Sequence, residues 1–328
     1  MRARFKRLLT QEFFGLLVAL VILIGFFSAQ SDYFWSVLTF TTLANQMPAL
    51  LVIAVGMTFV LIVAGIDLSV GSVMALCGAV LGLAIVELQL PLWLAAAMCL
   101  LTGLICGLFN GSVVTRWGVP SFIVTLGMLE IARGGAYLVT DSKTLYIGSL
   151  VAKISAPLPI VSLSPAWFVA VIVVVVGQLL LSRTVFGRYA IAVGTNEEAV
   201  HLSGINVTRI KLVVFGIAGT LAGLGGLFHV GYLQSADPNA GIGLELSAIA
   251  AVVIGGTSLA GGKGSVINTF LGVAIIAVLQ TGLAQIGASE PGKRVVTGLV
   301  IIAAVIIDVY RNRSGDIGDY LRGILFRK

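Results

Sequence analysis

The chain has 328 residues, of which 58% are hydrophobic and only 10% charged, and its mean hydropathy is +1.08. An ordinary soluble domain carries roughly 25% charged residues, so this composition excludes a water-solvated globule and describes a chain solvated by lipid. A formal charge of +6 would suggest nucleic acid in a soluble protein, but in a membrane protein an excess of Lys and Arg encodes orientation, and no nucleic-acid partner is implied.

The N-terminal stretch Met1 to Arg7 is basic and precedes the apolar run 13–29. That run is longer than a usual signal-peptide core, and Phe27 is too large for the position before a small-residue cleavage site, so the segment reads as a retained first span. Nine further membrane-length runs follow at 47–65, 71–88, 92–113, 119–140, 163–182, 210–232, 245–261, 265–287 and 295–310. Pro48, Pro91 and Pro120 sit at or just before three expected helix starts, where a missing N–H does no harm. The eighth run, rich in Gly and Ala, is the weakest, and a broken or partly inserted segment is expected there. The expectation is an all-α integral membrane protein of about ten transmembrane helices, forming one transmembrane domain over residues 1–328.

Charge tests that count. With the N-terminus cytoplasmic and every run crossing, fifteen of the 20 basic residues fall inside and four, Lys143, Lys153, Lys293 and Arg294, fall outside, with Arg133 within a run. Dropping or adding one crossing inverts every later loop and spoils the asymmetry, so both termini are expected in the cytoplasm. Short basic tails at 1–12 and 311–328 flank the bundle. Trp35, Trp93, Trp117 and Trp167 fall near proposed span boundaries, as an aromatic belt requires.

Glycines recur four apart: Gly78 and Gly82 in the third run, Gly103, Gly107 and Gly111 in the fourth, Gly219 and Gly223 in the seventh. Such ridges let backbones approach where lipid offers no hydrophobic drive, either within one subunit or at a subunit interface or movable pore.

Two stretches, GIDLSVGS from Gly65 and GGTSLAGGKGS from Gly255, put polar, glycine-rich backbone between paired apolar runs; in lipid this is tolerated where protein covers it or water lines it. Ser69 is a candidate N-cap of the third helix with Asp67 assisting, and the same pair is a candidate for gating or substrate passage. Glu130 and Arg133 lie three apart on one helix face, placed to neutralise each other or to serve the translocation path. Asn110, Glu245 and Asp308 are single polar residues near run ends, expected at the interface, and Asn110 joins the candidate path residues.

The interval Gly187 to Lys211 is the longest without a membrane-length run between two such runs, within an expected cytoplasmic loop 183–209. It carries a short helix signal: Asn196 as N-cap, Glu197 and Glu198 in the first turn, His201 near the end, and Gly204 where a left-handed residue closes the helix. About seven residues do not hold a helix alone in water, so either the rest of the chain or another protein must hold this one.

Catalytic and nucleotide signals fail. Gly262-Lys263-Gly264-Ser265 lacks both the upstream glycine and the Ser or Thr that a phosphate-binding loop needs, since Thr257 and Gly264 occupy those positions. Cys77, Cys99 and Cys106 lie inside apolar runs without CxxC spacing, and His201 and His229 do not make a metal site. No cofactor is expected in this chain, and the reading is of a non-enzymatic pore.

The stretches GIDLSVGSVMAL at 65–76, LICGLFNG at 104–111, VPSFIVTLGMLEIARG at 119–134, FGRYAIAVGTNEEAVHLSGINV at 186–207 and AVVIGGTSLAGGKGSV at 251–266 together resemble the permease subunit of ribose-type bacterial ABC importers. The resemblance implies an inner-membrane location and a pair of permeases, either two copies or two related chains. It also implies a cytoplasmic ATPase pair carrying ATP and Mg²⁺, and an extracytoplasmic sugar-binding protein. In that family the segment resembling 196–204 is the coupling helix; Glu197, Glu198, Ala199 and Gly204 match its pattern, and with the cap Asn196 they are the expected coupling residues. Related solutes such as a nucleoside, a branched-chain amino acid or a signalling furanose fit the same architecture, and a self-sufficient secondary carrier or channel is the rival class.

Overall fold

The computed structural model describes the backbone over 2–306 and side chains from residue 13. The C-terminal tail 311–328, Asp308, and the side chains of the N-terminal tail lie outside the described residues.

Every expected run contains a helix. α1 (Arg2–Gln30), α2 (Val37–Ile62), α3 (Val70–Val86), α4 (Leu92–Trp117), α5 (Ser121–Val139), α6 (Ser149–Ser155), α7 (Pro165–Arg183), α8 (Val185–Thr195), α9 (Glu197–Leu202), α10 (Val207–Leu233), α11 (Leu244–Ile254) and α12 (Val266–Gln285) are followed by α13 over 290–306. Seven of them, α1, α2, α4, α5, α7, α10 and α12, are long and apolar enough to cross a membrane. The eighth run is indeed short: α11 has 11 residues, about 16 Å, or half of a roughly 30 Å hydrocarbon core.

One boundary is corrected. α2 starts at Val37, ten residues before the expected run, so Pro48 lies inside the helix and not at its start, whereas Pro91 and Pro120 do occupy N-cap positions. Residues 37–46 are too polar to read as lipid-facing, and side-chain bonds hold them in the helix instead. The Ser36 hydroxyl accepts from Thr39 N–H, and Asn45 donates to Ser162 O and accepts from Ser164 N–H at 2.7 Å.

α2 and α10 form the centre. α10 runs antiparallel to α4 along the glycine seam: a Cβ on Gly219 would overlap the Gly103 carbonyl oxygen and stand 2.8 Å from Gly107 Cα, and one on Gly111 would stand 3.1 Å from Leu212 Cα. Gly78 and Gly82 press on Val230 and Ala236. The ridges therefore pack helices within one subunit. Thr58 and Thr269 share a buried 2.8 Å hydrogen bond between α2 and α12, a polar link of the sort that joins helices in lipid.

The bundle has two ends. At one, the two-residue strands β1 (Leu145–Tyr146) and β2 (Ser235–Ala236) pair antiparallel, with Leu145 opposite Ala236. Phe27 of α1 packs on Gly282 near this end, so α1 begins at the opposite one. That opposite end gathers α8, α9, the 255–265 loop and the meeting point of α4 and α5. There Gly262 N–H donates to Ile62 O at 2.9 Å, and Gly194 packs against both without room for a side chain.

Candidate functional site

Two segments break the helical pattern inside the bundle. Residues 63–69 run non-helically between α2 and α3, and their backbone is satisfied by α5: Ile66 N–H donates to Ser121 Oγ (2.9 Å), Leu68 N–H to Thr125 Oγ1 (3.1 Å), and Thr125 Oγ1 donates to Ile66 O (3.2 Å). Protein cover is the condition under which irregular backbone survives in lipid. The second segment, 237–243, dips inward before α11. Arg133 Nη1 donates to Ala240 O (2.8 Å) and to Pro238 O, and Tyr137 Oη bonds Asn239 Oδ1 (2.6 Å). The second segment meets the first turn of α3, where Gly241 packs on Gly71 and leaves no room for a side chain at either residue.

The expected Glu130–Arg133 pair does not form. Glu130 is exposed, and Arg133 turns its Nη1 to two carbonyls of a segment more than one hundred residues downstream. Ser69 does occupy the N-cap of α3, but its hydroxyl does not cap the helix. Asp67 Oδ1 accepts from both Ser69 N–H (2.9 Å) and Ser69 Oγ–H (2.6 Å). Asn110, expected at the interface, is instead buried: its Nδ2 donates to Ser69 Oγ (3.1 Å) while its Oδ1 has no partner among the described residues. Asp67, Ser69 and Asn110 thus make one buried chain of hydrogen bonds at the root of α3. Glu245 is half-buried in the first turn of α11.

α9 stands at the end of the bundle opposite the strand pair. Asn196 Oδ1 accepts from Ala199 N–H at 2.9 Å, Glu197 and Glu198 occupy the first turn, and Gly204 follows with φ +77°, the left-handed closure that its position requires. Only Val200 faces inward; Ala199, His201 and Leu202 are exposed, Leu202 at 80%. Glu197 pairs with Lys211 at 2.6 Å, fastening α9 to the first turns of α10. α8, which no local signal announced, lies between α7 and α9 with Gly187, Ala190 and Val193 buried. A cavity of about 580 Å³ lies beside α9, lined in part by Glu197, Glu198, His201, Thr208 and Lys211.

A larger cavity of about 920 Å³ opens toward the strand-pair end between α2, α10, α11, α12 and α13. Its lining includes Gln46, His229, Tyr232, Gln280 and Gln285, none of which the sequence singled out for a path. Gln46 lay one residue before the expected second run. The candidate path residues Asp67, Ser69, Asn110, Glu130 and Arg133 line neither cavity.

Among the described residues, seven helices of spanning length, two interrupted segments covered by the bundle, and a cavity opening at each end define a multi-pass membrane protein of the transport class. The chain belongs to the family described as branched-chain amino acid transport system / permease component, whose model matches residues 39–305. It is 41% identical to the ribose import permease protein RbsC of Haemophilus influenzae, over 89% of this chain and 92% of that protein. It is 39% identical to RbsC of Escherichia coli K12 over 89% and 92%. The fructose import permease protein FrcC of Rhizobium meliloti is 35% identical over 89% of this chain and 84% of its own length. No solved structure matches the chain.

Proposed function

We propose that this chain is the membrane-spanning permease subunit of an ATP-driven, binding-protein-dependent importer in a bacterial inner membrane, and that it carries a monosaccharide such as ribose. The relatives' names support the solute class, since both ribose and fructose import permeases match over nearly the whole chain. ATP and Mg²⁺ would sit on a cytoplasmic ATPase partner, a sugar-binding protein would deliver substrate on the other side, and a second permease, identical or related, would complete the pathway.

The observation that carries the reading is α9: a capped, six-residue helix left exposed on its outer face and fastened to α10 through Lys211. A helix that short gains its order from what it docks against, and its own subunit buries only Val200. Asn196, Glu197, Glu198, Ala199 and Gly204 are assigned to that docking. Arg116, Arg183, Arg188, Arg209 and Lys263 gather at the same end as α9, which is the distribution of a cytoplasmic face.

In this reading, closure of the ATPase pair displaces α9, and α10 carries the displacement because its glycine seam with α4 leaves no slack. The Asp67–Ser69–Asn110 chain is assigned to the gate. It fixes the root of α3, and the unpartnered Asn110 Oδ1 leaves it incompletely satisfied, so an alternative bonding pattern is close in energy.

The test replaces Glu198 by Ala and Gly204 by Val together. Among the described residues Glu198 makes no ion pair, and a Cβ on Gly204 meets open space, so the fold is retained, while Val at φ +77° strains the closure of α9. Loss of ATPase assembly or of ATP-coupled ribose uptake is expected. Normal assembly together with normal uptake removes the assignment of α9.

A further inference from the structure

We infer that the 920 Å³ cavity between α2, α10, α11, α12 and α13 is the entry vestibule for the solute, and that its chemistry selects a neutral polyhydroxylated molecule over a zwitterion. The inference rests on the reading of the chain as a sugar permease and gives that pathway its residues.

Position is the first argument. Gln280 lies five residues inside the end of α12 and is exposed, with no hydrogen-bond partner among the described residues. An amide on a spanning helix that faced hydrocarbon would leave its donors and acceptor unmet, so such residues face a partner or water. Gln46, also exposed, sits about 13 Å along α2 from its first residue and donates to Tyr232 Oη at 3.0 Å. Gln285 donates to Thr39 Oγ1 at 2.9 Å. These amides come from α2 and α12 and, with Tyr232 and His229 of α10, line one space. One turn further in, the lining turns to Ala49, Leu50, Ala277 and Ile301, so the cavity has an apolar floor.

Chemistry is the second argument. Amides and hydroxyls each offer donors and acceptors, as every sugar hydroxyl does, whereas fixed charges offer only one or the other. The formal charges lining this cavity on α13 are Glu290, Lys293 and Arg294, all within its first five residues at the mouth, and Glu290 and Lys293 neutralise each other as an ion pair. Deeper, past the glutamines, no carboxylate, ammonium or guanidinium of the described residues lines the wall. A zwitterionic amino acid passing onto the apolar floor would leave two charges unpaired there, a penalty that a pentose or hexose avoids. Discrimination therefore comes from what the wall omits as well as from what it presents.

Site-directed labelling of the full complex tests this. The three native cysteines are buried, so background modification is low. Gln280→Cys and Gln46→Cys should react with a membrane-impermeant methanethiosulfonate added from outside, at least tenfold faster than Val175→Cys on the apolar outer surface of α7. Modification should block uptake of radiolabelled D-ribose, and Gln46→Leu with Gln280→Leu should cut uptake at least tenfold while L-leucine remains untransported. Ribose uptake by the unmodified complex, without faster labelling at 46 and 280, overturns the vestibule. Faster labelling in a complex that transports L-leucine and not ribose overturns the solute selection and the sugar reading with it. Should the double variant not assemble, the labelling comparison alone decides.

Discussion

A methyl group on Gly219 has nowhere to go: it would meet the Gly103 carbonyl oxygen and the Gly107 backbone at once, and helix backbone does not step aside as a flexible side chain can. Gly219→Ala should therefore cost about 1–3 kcal/mol or more by overpacking, seen as a lower midpoint of thermal unfolding in detergent. Gly127→Ala is the control. Its Cβ meets nothing within 4 Å, so replacing glycine in the middle of α5 should leave the midpoint unchanged or raise it slightly. The repeat at four-residue spacing was legible in the sequence; which partner each ridge met was not, because spacing fixes a face and not its neighbour. Arg133 makes the same point more sharply. Its sequence neighbour Glu130 looked like its partner, yet its donors find Pro238 and Ala240, which only the inward dip of 237–243 brings near. Asn110 likewise sat near a run end, and only the non-helical path of 63–69 shows that it faces Ser69.

Among the elements, α9 was the most legible because its signals are local: an Asn cap, two first-turn acids and a closing glycine act within nine residues. α8 was missed because its order comes from contacts with α7 and α10 and from the packing of Gly194 against Ile62 and Gly262, none of which a short window contains. The start of α2 was missed for a related reason, as Thr, Asn and Gln in 37–46 are retained by partners elsewhere in the chain. The Glu197–Lys211 bond separates stability from transmission. Glu197 is half exposed, so the pair should contribute only about 0.2–1 kcal/mol to folding. Lys211→Glu should hardly move the unfolding midpoint yet lower ATP-coupled uptake, and adding Glu197→Lys should restore uptake by re-forming the pair in reverse. Failure of the reversed pair to rescue, with assembly normal, would show that the bond does not carry the displacement of α9.

For the whole molecule, hydropathy located all ten apolar runs and the structure kept a helix in each, while the interruptions at 63–69 and 237–243 and the shortness of α11 belong to tertiary packing. The vestibule was invisible to hydropathy because it is assembled from single residues on five helices. α10 joins the two functional regions. It is one helix of 27 residues, about 40 Å long, whose first turns hold α9 through Lys211 and whose last turns present His229 and Tyr232 to the cavity. Clamped by α4 along most of its length, it behaves as a fixed yardstick through the cell boundary. Spin labels at Thr208 and Leu233, both exposed on it, should keep the same separation in every nucleotide state, whereas a pair at Leu233 and Ile302 should change. A shift of several ångströms within the first pair would mean that the yardstick itself bends.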